Sequence, residues 1–189
     1  MKSQIFFIAV FMLAINNILT AQSFDFRKTK WDMDSTQVKK AEKSMLVLSK
    51  ENYLVYDGKL GDWNTRIYYY FNKYNQLFHT AYFITLDSQN PQTFVNVFLL
   101  LQDLLTIKYK QPVNKKFSTI NGKVIQQDEW ASNLISNNLN LETSWRTDNS
   151  DIVLSFSISG KLNLEINYTS LGGDRKINEE QKIEILKDL

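Results

Sequence analysis

The clearest hydrophobic pattern lies in the second half of the chain. Leu139, Leu141, Thr143 and Trp145 alternate with Asn140, Glu142, Ser144 and Arg146. After Asp148-Asn149-Ser150, the residues Ile152, Leu154, Phe156 and Ile158 alternate with Val153, Ser155 and Ser157. After Ser159-Gly160, the residues Leu162, Leu164, Ile166 and Tyr168 alternate with Lys161, Asn163, Glu165 and Asn167. A period of two places successive side chains on opposite faces, so three antiparallel strands with one dry and one wet face are predicted. The short Ser159-Gly160 connection holds the last two in register.

A different period precedes this meander. Phe94, Val97, Phe98, Leu101, Leu104 and Leu105 recur at helical spacing, widened by Val95 and Leu99 and interrupted by Asn96, Gln102 and Asp103. Asn90 supplies a cap and Pro91 the first helical position, which predicts a helix over 91–109 stopped by Lys110-Gln111-Pro112. The polar interruptions shorten the apolar run well below the roughly 20 residues a membrane span needs, so the helix belongs in a core.

The first half repeats this plan less clearly. Asp34 and Gln37 form a capping box, Met33 and Val38 occupy hydrophobic-staple positions, and Val38, Ala41 and Met45 share a face, predicting a helix from 35 to 43 or 44. Strands are predicted at 45–48, 53–56 and 65–71, with turns at Asp57-Gly58, Gly61-Asp62 and 72–75. A further strand over 77–86 places Leu77, His79, Ala81 and Phe83 on one face and Phe78, Thr80, Tyr82 and Ile84 on the other. Asn121-Gly122 predicts a small hairpin between 117–120 and 123–125, and Trp130 and Leu134 predict a short helix within 128–136. Ile177, Ile183, Leu186 and Leu189 would dock a last helix over 175–189, unless that stretch is a tail. The fold class is therefore α+β, an antiparallel sheet or sheets packed against helices. Two helix-plus-meander halves, 26–88 and 90–170, are expected within a single α+β domain over 22–189.

Residues 1–21 stand apart. Lys2, the apolar run from Ile5 to Ile15 and Ala21 follow the plan of a secretory signal peptide, with positive charge, short apolar core and small residue at the cut. Its removal lowers the formal net charge from +2 to +1. Such a balance predicts neither a nucleic acid partner nor stable membrane insertion of the mature chain. The absence of cysteine excludes disulfides, thiolate metal sites and a cysteine nucleophile. Export without disulfides fits a bacterial periplasm or exterior. Tyr 9, Phe 12 and Trp 4 against Gly 6 and Pro 2 favour a packed sheet over a linker protein.

Candidate chemistry is sparse, and no catalytic residue, metal ligand or cofactor site is assigned. His79 is the single histidine, in a strand whose neighbours give it a structural reading. Ser155 and Ser157 lie outside any nucleophile-elbow motif. Asp57, Asp62, Asp148, Asp151 and Asp174 fall mostly at turns, where turn chemistry explains them. Glu142 and Glu165 could face a common groove, but paired-carboxylate hydrolysis requires a separation the sequence does not define. Gly172-Gly173-Asp174 lacks the glycine spacing and following lysine of a phosphate loop. Trp63, Tyr68, Tyr70, Tyr74 and Tyr82 are the candidate binding surface. Tyrosines gathered around one hairpin offer buried area with a polar tip to a protein or glycan, and ordinary sheet packing is the competing reading.

The stretch Phe26 to Glu42, with Arg27, Thr29, Trp31 and Met33, resembles the opening of a group of uncharacterised exported bacterial proteins that carry an Arg-x-Thr-x-Trp-Gly-Met-Ser-like segment before a Val and a Glu. Asp32 stands where that pattern has Gly. Lys108-Tyr109-Lys110-Gln111-Pro112 resembles their Lys-Tyr-Gly-Lys-Pro helix exit, with Lys110 in place of Gly. Trp145, Ile152, Leu154 and Ile166-Asn167-Tyr168 continue the likeness. More distantly, the helix opening followed by strands is similar to small outer-membrane assembly lipoproteins and β-lactamase-inhibitory proteins, whose lipid-bearing or disulfide cysteines this chain lacks. The resemblance implies a binding or scaffolding role and transfers no catalytic residue. The expectation is an exported, non-catalytic binding or scaffolding protein of the bacterial cell envelope, with a protein or envelope component as partner. A hydrolase using His79 or paired carboxylates, and a purely structural accessory protein, are the alternatives.

Overall fold

The computed structural model describes residues 24–88, 90–136, 138–158 and 162–172. The expected signal peptide, the Ser159-Gly160 turn and the segment 175–189 lie outside them. The chain is α+β. Helix α1 (Ser35–Ala41) precedes strands β1 (Met45–Ser49), β2 (Tyr53–Leu60), β3 (Trp63–Phe71) and β4 (Leu77–Thr85). Helix α2 (Pro91–Tyr109) then precedes β5 (Asn114–Ser118), a 3₁₀ turn at Gln127–Glu129, helix α3 (Trp130–Ile135), β6 (Asn140–Arg146), β7 (Ser150–Ile158) and β8 (Leu162–Ser170).

All eight strands form one antiparallel sheet in the order β1-β2-β3-β4-β8-β7-β6-β5. Each expected half contributes four strands, and the halves meet where β4 pairs with β8, from His79 opposite Thr169 to Ile84 opposite Leu164. The order reads as two copies of one plan related across that central pair. One face of the sheet is covered. Leu54, Ile67, Tyr69, Leu141, Leu154 and Phe156 are among its buried residues. Over the β6–β8 half, α2 stacks Phe94 on Phe156 and sets Phe98 edge-on to Trp130 of α3. Over the other half, Val38 of α1 is fully buried, and Phe26 lies against Tyr69, Tyr82 and Tyr168.

The capping box of α1 is present, with Gln37 N–H donating to the Asp34 carboxylate and Asp34 N–H to the Gln37 side chain. Asn90 caps α2 through the N–H of Gln92. Gln102, which interrupts the apolar stripe, is buried and accepts the Thr143 hydroxyl at 2.9 Å, so its polarity is satisfied inside the core.

Several local expectations are corrected. Helix α1 ends at Ala41, and Met45 is an exposed residue of β1 instead of a third member of the helix face. Asp57-Gly58 is no turn: β2 runs through it to Leu60. A Cβ on Gly58 would come within 2.5 Å of the Ile67 side chain, so this glycine permits close packing. Between β3 and β4 the register slips at Tyr70/Phe71, because Tyr70 faces His79 but Phe71 faces Leu77. The bulge puts Leu77 with buried Thr80, Tyr82 and Ile84, away from His79. Leu104 is 50% exposed, since the buried stripe of α2 turns through Leu101, Gln102 and Leu105. The hairpin at Asn121-Gly122 is reduced to a single bridge, Ser118 to Val124, while β5 pairs with β6 along its length. Asp57 and Asp151 sit in strands, paired with Arg66 and Arg146.

Asp32 and Lys110 both have positive φ, 66° and 69°. That conformation is one glycine adopts without steric cost.

Candidate binding face

The opposite face of the sheet is built from the alternate residues of the same strands. Most of them are partly or fully exposed where their neighbours along the strand are buried; Val55 and Ala81 are exceptions. Cross-strand pairing sets them in rows. One row runs Tyr53, Tyr70, His79, Thr169, Asp151, Arg146. The next runs Val55, Tyr68, Ala81, Asn167, Val153, Ser144, and a third Asp57, Arg66, Phe83, Glu165, Ser155, Glu142. The β2–β4 side is aromatic and the β8–β6 side polar.

The aromatic side is continuous. Tyr68 and Tyr70, two apart on β3, stack with ring centroids 5.8 Å apart and planes 11° from parallel. Tyr53 lies 6.0 Å from Tyr70, and Phe83 meets Tyr68 edge-on at 4.8 Å. Val55 and Ala81, the strand partners of Tyr68 on either side, are buried on this face. Burial raises the Tyr70 hydroxyl above its ordinary value, with the nearby Tyr68, Glu165 and Tyr53 adding to the shift. The Tyr70 phenol therefore stays a protonated donor at neutral pH. At the far end Phe83 lines a groove of about 420 Å³ with Thr85, Leu86, Phe94 and Asn163.

Of the five aromatic residues expected to form a surface, Tyr68 and Tyr70 are brought together here. Tyr74 is 57% exposed in the turn between β3 and β4. Trp63 lies on the covered face at the start of β3 and packs partly buried against the core. Tyr82 is corrected outright. It is buried on the covered face, its ring 4.9 Å from Phe26 and its hydroxyl accepting from Arg27 at 3.4 Å. The segment that covers it comes from more than fifty residues away in sequence, which strand alternation alone could not reveal. Tyr53 and Phe83 belong to the face and were missed. The two-residue Gly61-Asp62 turn already places Tyr53 opposite Tyr70, so that signal was present.

His79 also belongs to this face. Its Nδ1 lies 3.0 Å from the Thr169 hydroxyl and its ring 5.3 Å from Tyr70. Glu142 and Glu165 flank Ser155 in one row, two strands apart. No group of three or more His, Cys, Asp or Glu among the described residues is arranged to hold a metal ion.

The charged groups of the covered face form a separate cluster. Glu42 accepts from the Tyr69 hydroxyl, from the N–H groups of Lys43 and Ser44 at 2.7 and 2.8 Å, and pairs with Arg27 Nε at 2.8 Å. Burial pushes its carboxyl up, but the bonds from Tyr69 and Ser44 and the Arg27 charge outweigh this and hold it at about 2. Burial and the Glu42 bond push Tyr69 well above the ordinary phenol range. Burial, then the Glu42 charge, pushes Tyr56 up to about 12. This cluster joins the N-terminal segment, α1 and β3 inside the protein.

No described helix is long and apolar enough to cross a membrane. No protein-family model, curated protein or solved structure matches the chain.

Proposed function

We propose that the chain is a non-catalytic binding or scaffolding protein of the bacterial cell envelope, exported to the periplasm or exterior, and that it engages a protein or envelope component through the face of its sheet opposite Phe26, α1 and α2. One observation carries the reading: Tyr53, Tyr70, Tyr68 and Phe83 form a continuous aromatic file on that face, partly exposed and bordered by a polar row. Aromatic side chains fixed by their neighbours contribute large contact area with little ordering cost, and they recur as anchors in interfaces. The polar strands beside them, with Asn167, Ser155 and Ser144, supply the hydrogen-bonding rim.

The test compares the mature chain with a Tyr68→Ala/Tyr70→Ala variant for retention on an isolated cell-envelope fraction. The wild type should be retained and the variant released, with both melting cooperatively. Equal retention of the two would remove the aromatic file from the function.

The Glu142–Ser155–Glu165 row favours a hydrolase as the second reading. Two carboxylates flanking a substrate are the minimum for glycoside hydrolysis. Turnover of an envelope polysaccharide abolished by Glu165→Gln would establish it in place of binding alone.

A further inference from the structure

The edge strand β1 carries an apolar run that wraps around the sheet margin. Met45, Leu46, Val47 and Leu48 are exposed at 64, 42, 37 and 39%. The pairing with β2 shifts between Leu46 and Leu48, so Val47 is bulged and the two leucines part. Leu46 pairs with Tyr56 of the covered face, and Leu48 with Val55 of the opposite face. Met45, opposite Asp57, joins Leu48 on that second face. Apolar side chains thus lie on both faces of one edge. A bulged edge of this kind offers another strand no regular ladder, and neither of its faces alone gathers the whole run. It fits an occupant without register, which can receive side chains from both faces at once.

The surrounding charges select that occupant. Lys39 and Lys40 of α1, Lys43 before β1 and Lys50 after it are all exposed, as are Lys28 and Lys59. Lys28 and Lys43 line one groove of about 350 Å³ with Arg27, Ala41 and Glu42. Lys59 follows Asp57, the partner of Met45, by two residues on β2. Of the nearby acids, Glu42 is buried and paired with Arg27, and Asp57 is paired with Arg66. The lysines outnumber Glu51 and Asp62, the exposed acids of 39–62. A formal net charge of +2 for the whole chain thus conceals a local excess at this rim.

We propose that the β1 rim is a peripheral membrane-binding site, which seats Met45, Leu46, Val47 and Leu48 at the acyl boundary of an anionic lipid surface and Lys39, Lys40, Lys43 and Lys50 among its headgroups. Apolar side chains enter the boundary while ammonium groups on flexible stems remain at the phosphates. Such attachment is reversible and weakened by salt, and it requires no membrane-crossing helix. This rim is distinct from the aromatic file, and the inference does not rest on that file's role.

Flotation of the mature chain with lipid vesicles tests it. The wild type should float with vesicles of phosphatidylglycerol and phosphatidylcholine, stay behind with phosphatidylcholine alone, and be released as salt is raised. Val47→Glu should weaken binding at least about tenfold, because it sets a negative charge at the acyl boundary. Lys39→Gln/Lys40→Gln should weaken it about five- to twenty-fivefold. Both variants should melt as the wild type does, since these sites are exposed. Tyr68→Ala/Tyr70→Ala should float as the wild type does. A wild type that does not float with the anionic vesicles, or floats equally with the neutral ones, would overturn the proposal. So would binding indifferent to Val47→Glu or to the paired lysine exchange, or binding lost in the tyrosine variant.

Discussion

Arg27 and Glu42 form an ion pair of 2.8 Å in which the carboxylate side chain is 2% exposed and the guanidinium 26%. The pair sits between the N-terminal segment and the sheet, and its carboxylate also accepts the Tyr69 hydroxyl. Because Glu42 is held at about 2, below its ordinary value of 4.5, the unfolded chain binds the extra proton as acid is added. Its contribution, roughly 3 kcal/mol at most, is fully present above pH about 4.5 and is lost as pH falls through about 2. A urea-denaturation series at stepped pH should show this loss. In Glu42→Gln the protein should be less stable at neutral pH and its stability flatter across that acid window.

Tyr56 tests the opposite case. Its hydroxyl is buried beside Glu42 and has no hydrogen-bond partner among the described residues. Removing an unsatisfied buried hydroxyl restores no lost bond and ends a desolvation cost, so Tyr56→Phe should be neutral or stabilising by about 1 kcal/mol. Tyr69→Phe should instead destabilise by roughly 1.5–3 kcal/mol, because it deprives a buried carboxylate of a donor. Paired denaturation curves of the two variants separate these outcomes.

Gly58 should not tolerate a methyl group. Its Cβ would meet Cδ1 of Ile67 at 2.5 Å and the Ser44 hydroxyl at 3.0 Å, and Ile67 is fully buried. Gly58→Ala is expected to cost about 1–3 kcal/mol by overpacking. The midpoint of thermal unfolding reads it directly. A midpoint equal to that of wild type would mean that the β2–β3 packing is looser than described.

Lys110 offers a gain. At φ 69° and ψ −153° it occupies a region that is essentially glycine's, at a cost of about 1–3 kcal/mol for other residues. Lys110→Gly should raise stability by about 1 kcal/mol after the added freedom of the unfolded glycine is subtracted. Lys110→Ala, which retains a Cβ, should not show the gain.

On α2 the two sides should respond differently. Phe98 is fully buried against Trp130 and Phe117, so Phe98→Asp should abolish cooperative folding. Leu104→Lys, at a half-exposed site, should melt within about 0.5 kcal/mol of wild type.

The bounds of α2 and the three strands of the meander were legible because their causes are local. A cap, a proline and a period each act within a few residues. The first half was harder, because Gly58 and the bulge at Phe78 break the period without ending a strand. Met45 followed helix spacing from Val38, yet the chain left the helix at Ala41, where Glu42 turns its carboxylate back to the N–H groups of Lys43 and Ser44. Half of the candidate face was readable, since Tyr68 and Tyr70 share a strand face by their spacing. The burial of Tyr82 was not, because Phe26 and Arg27 reach it through tertiary docking that leaves no mark near residue 82.

The central joint has a consequence for the order of folding. His79 and Thr169, ninety residues apart, meet in the pair that unites the two halves. Strand β4 therefore waits with an open edge while α2, β5, α3, β6 and β7 are synthesised, and contacts of such long sequence separation form slowly. In the exported chain proposed here, the sheet stays unclosed until β8 arrives. A polypeptide with its middle still open remains threadable, and its completion falls to the compartment where β8 finally docks.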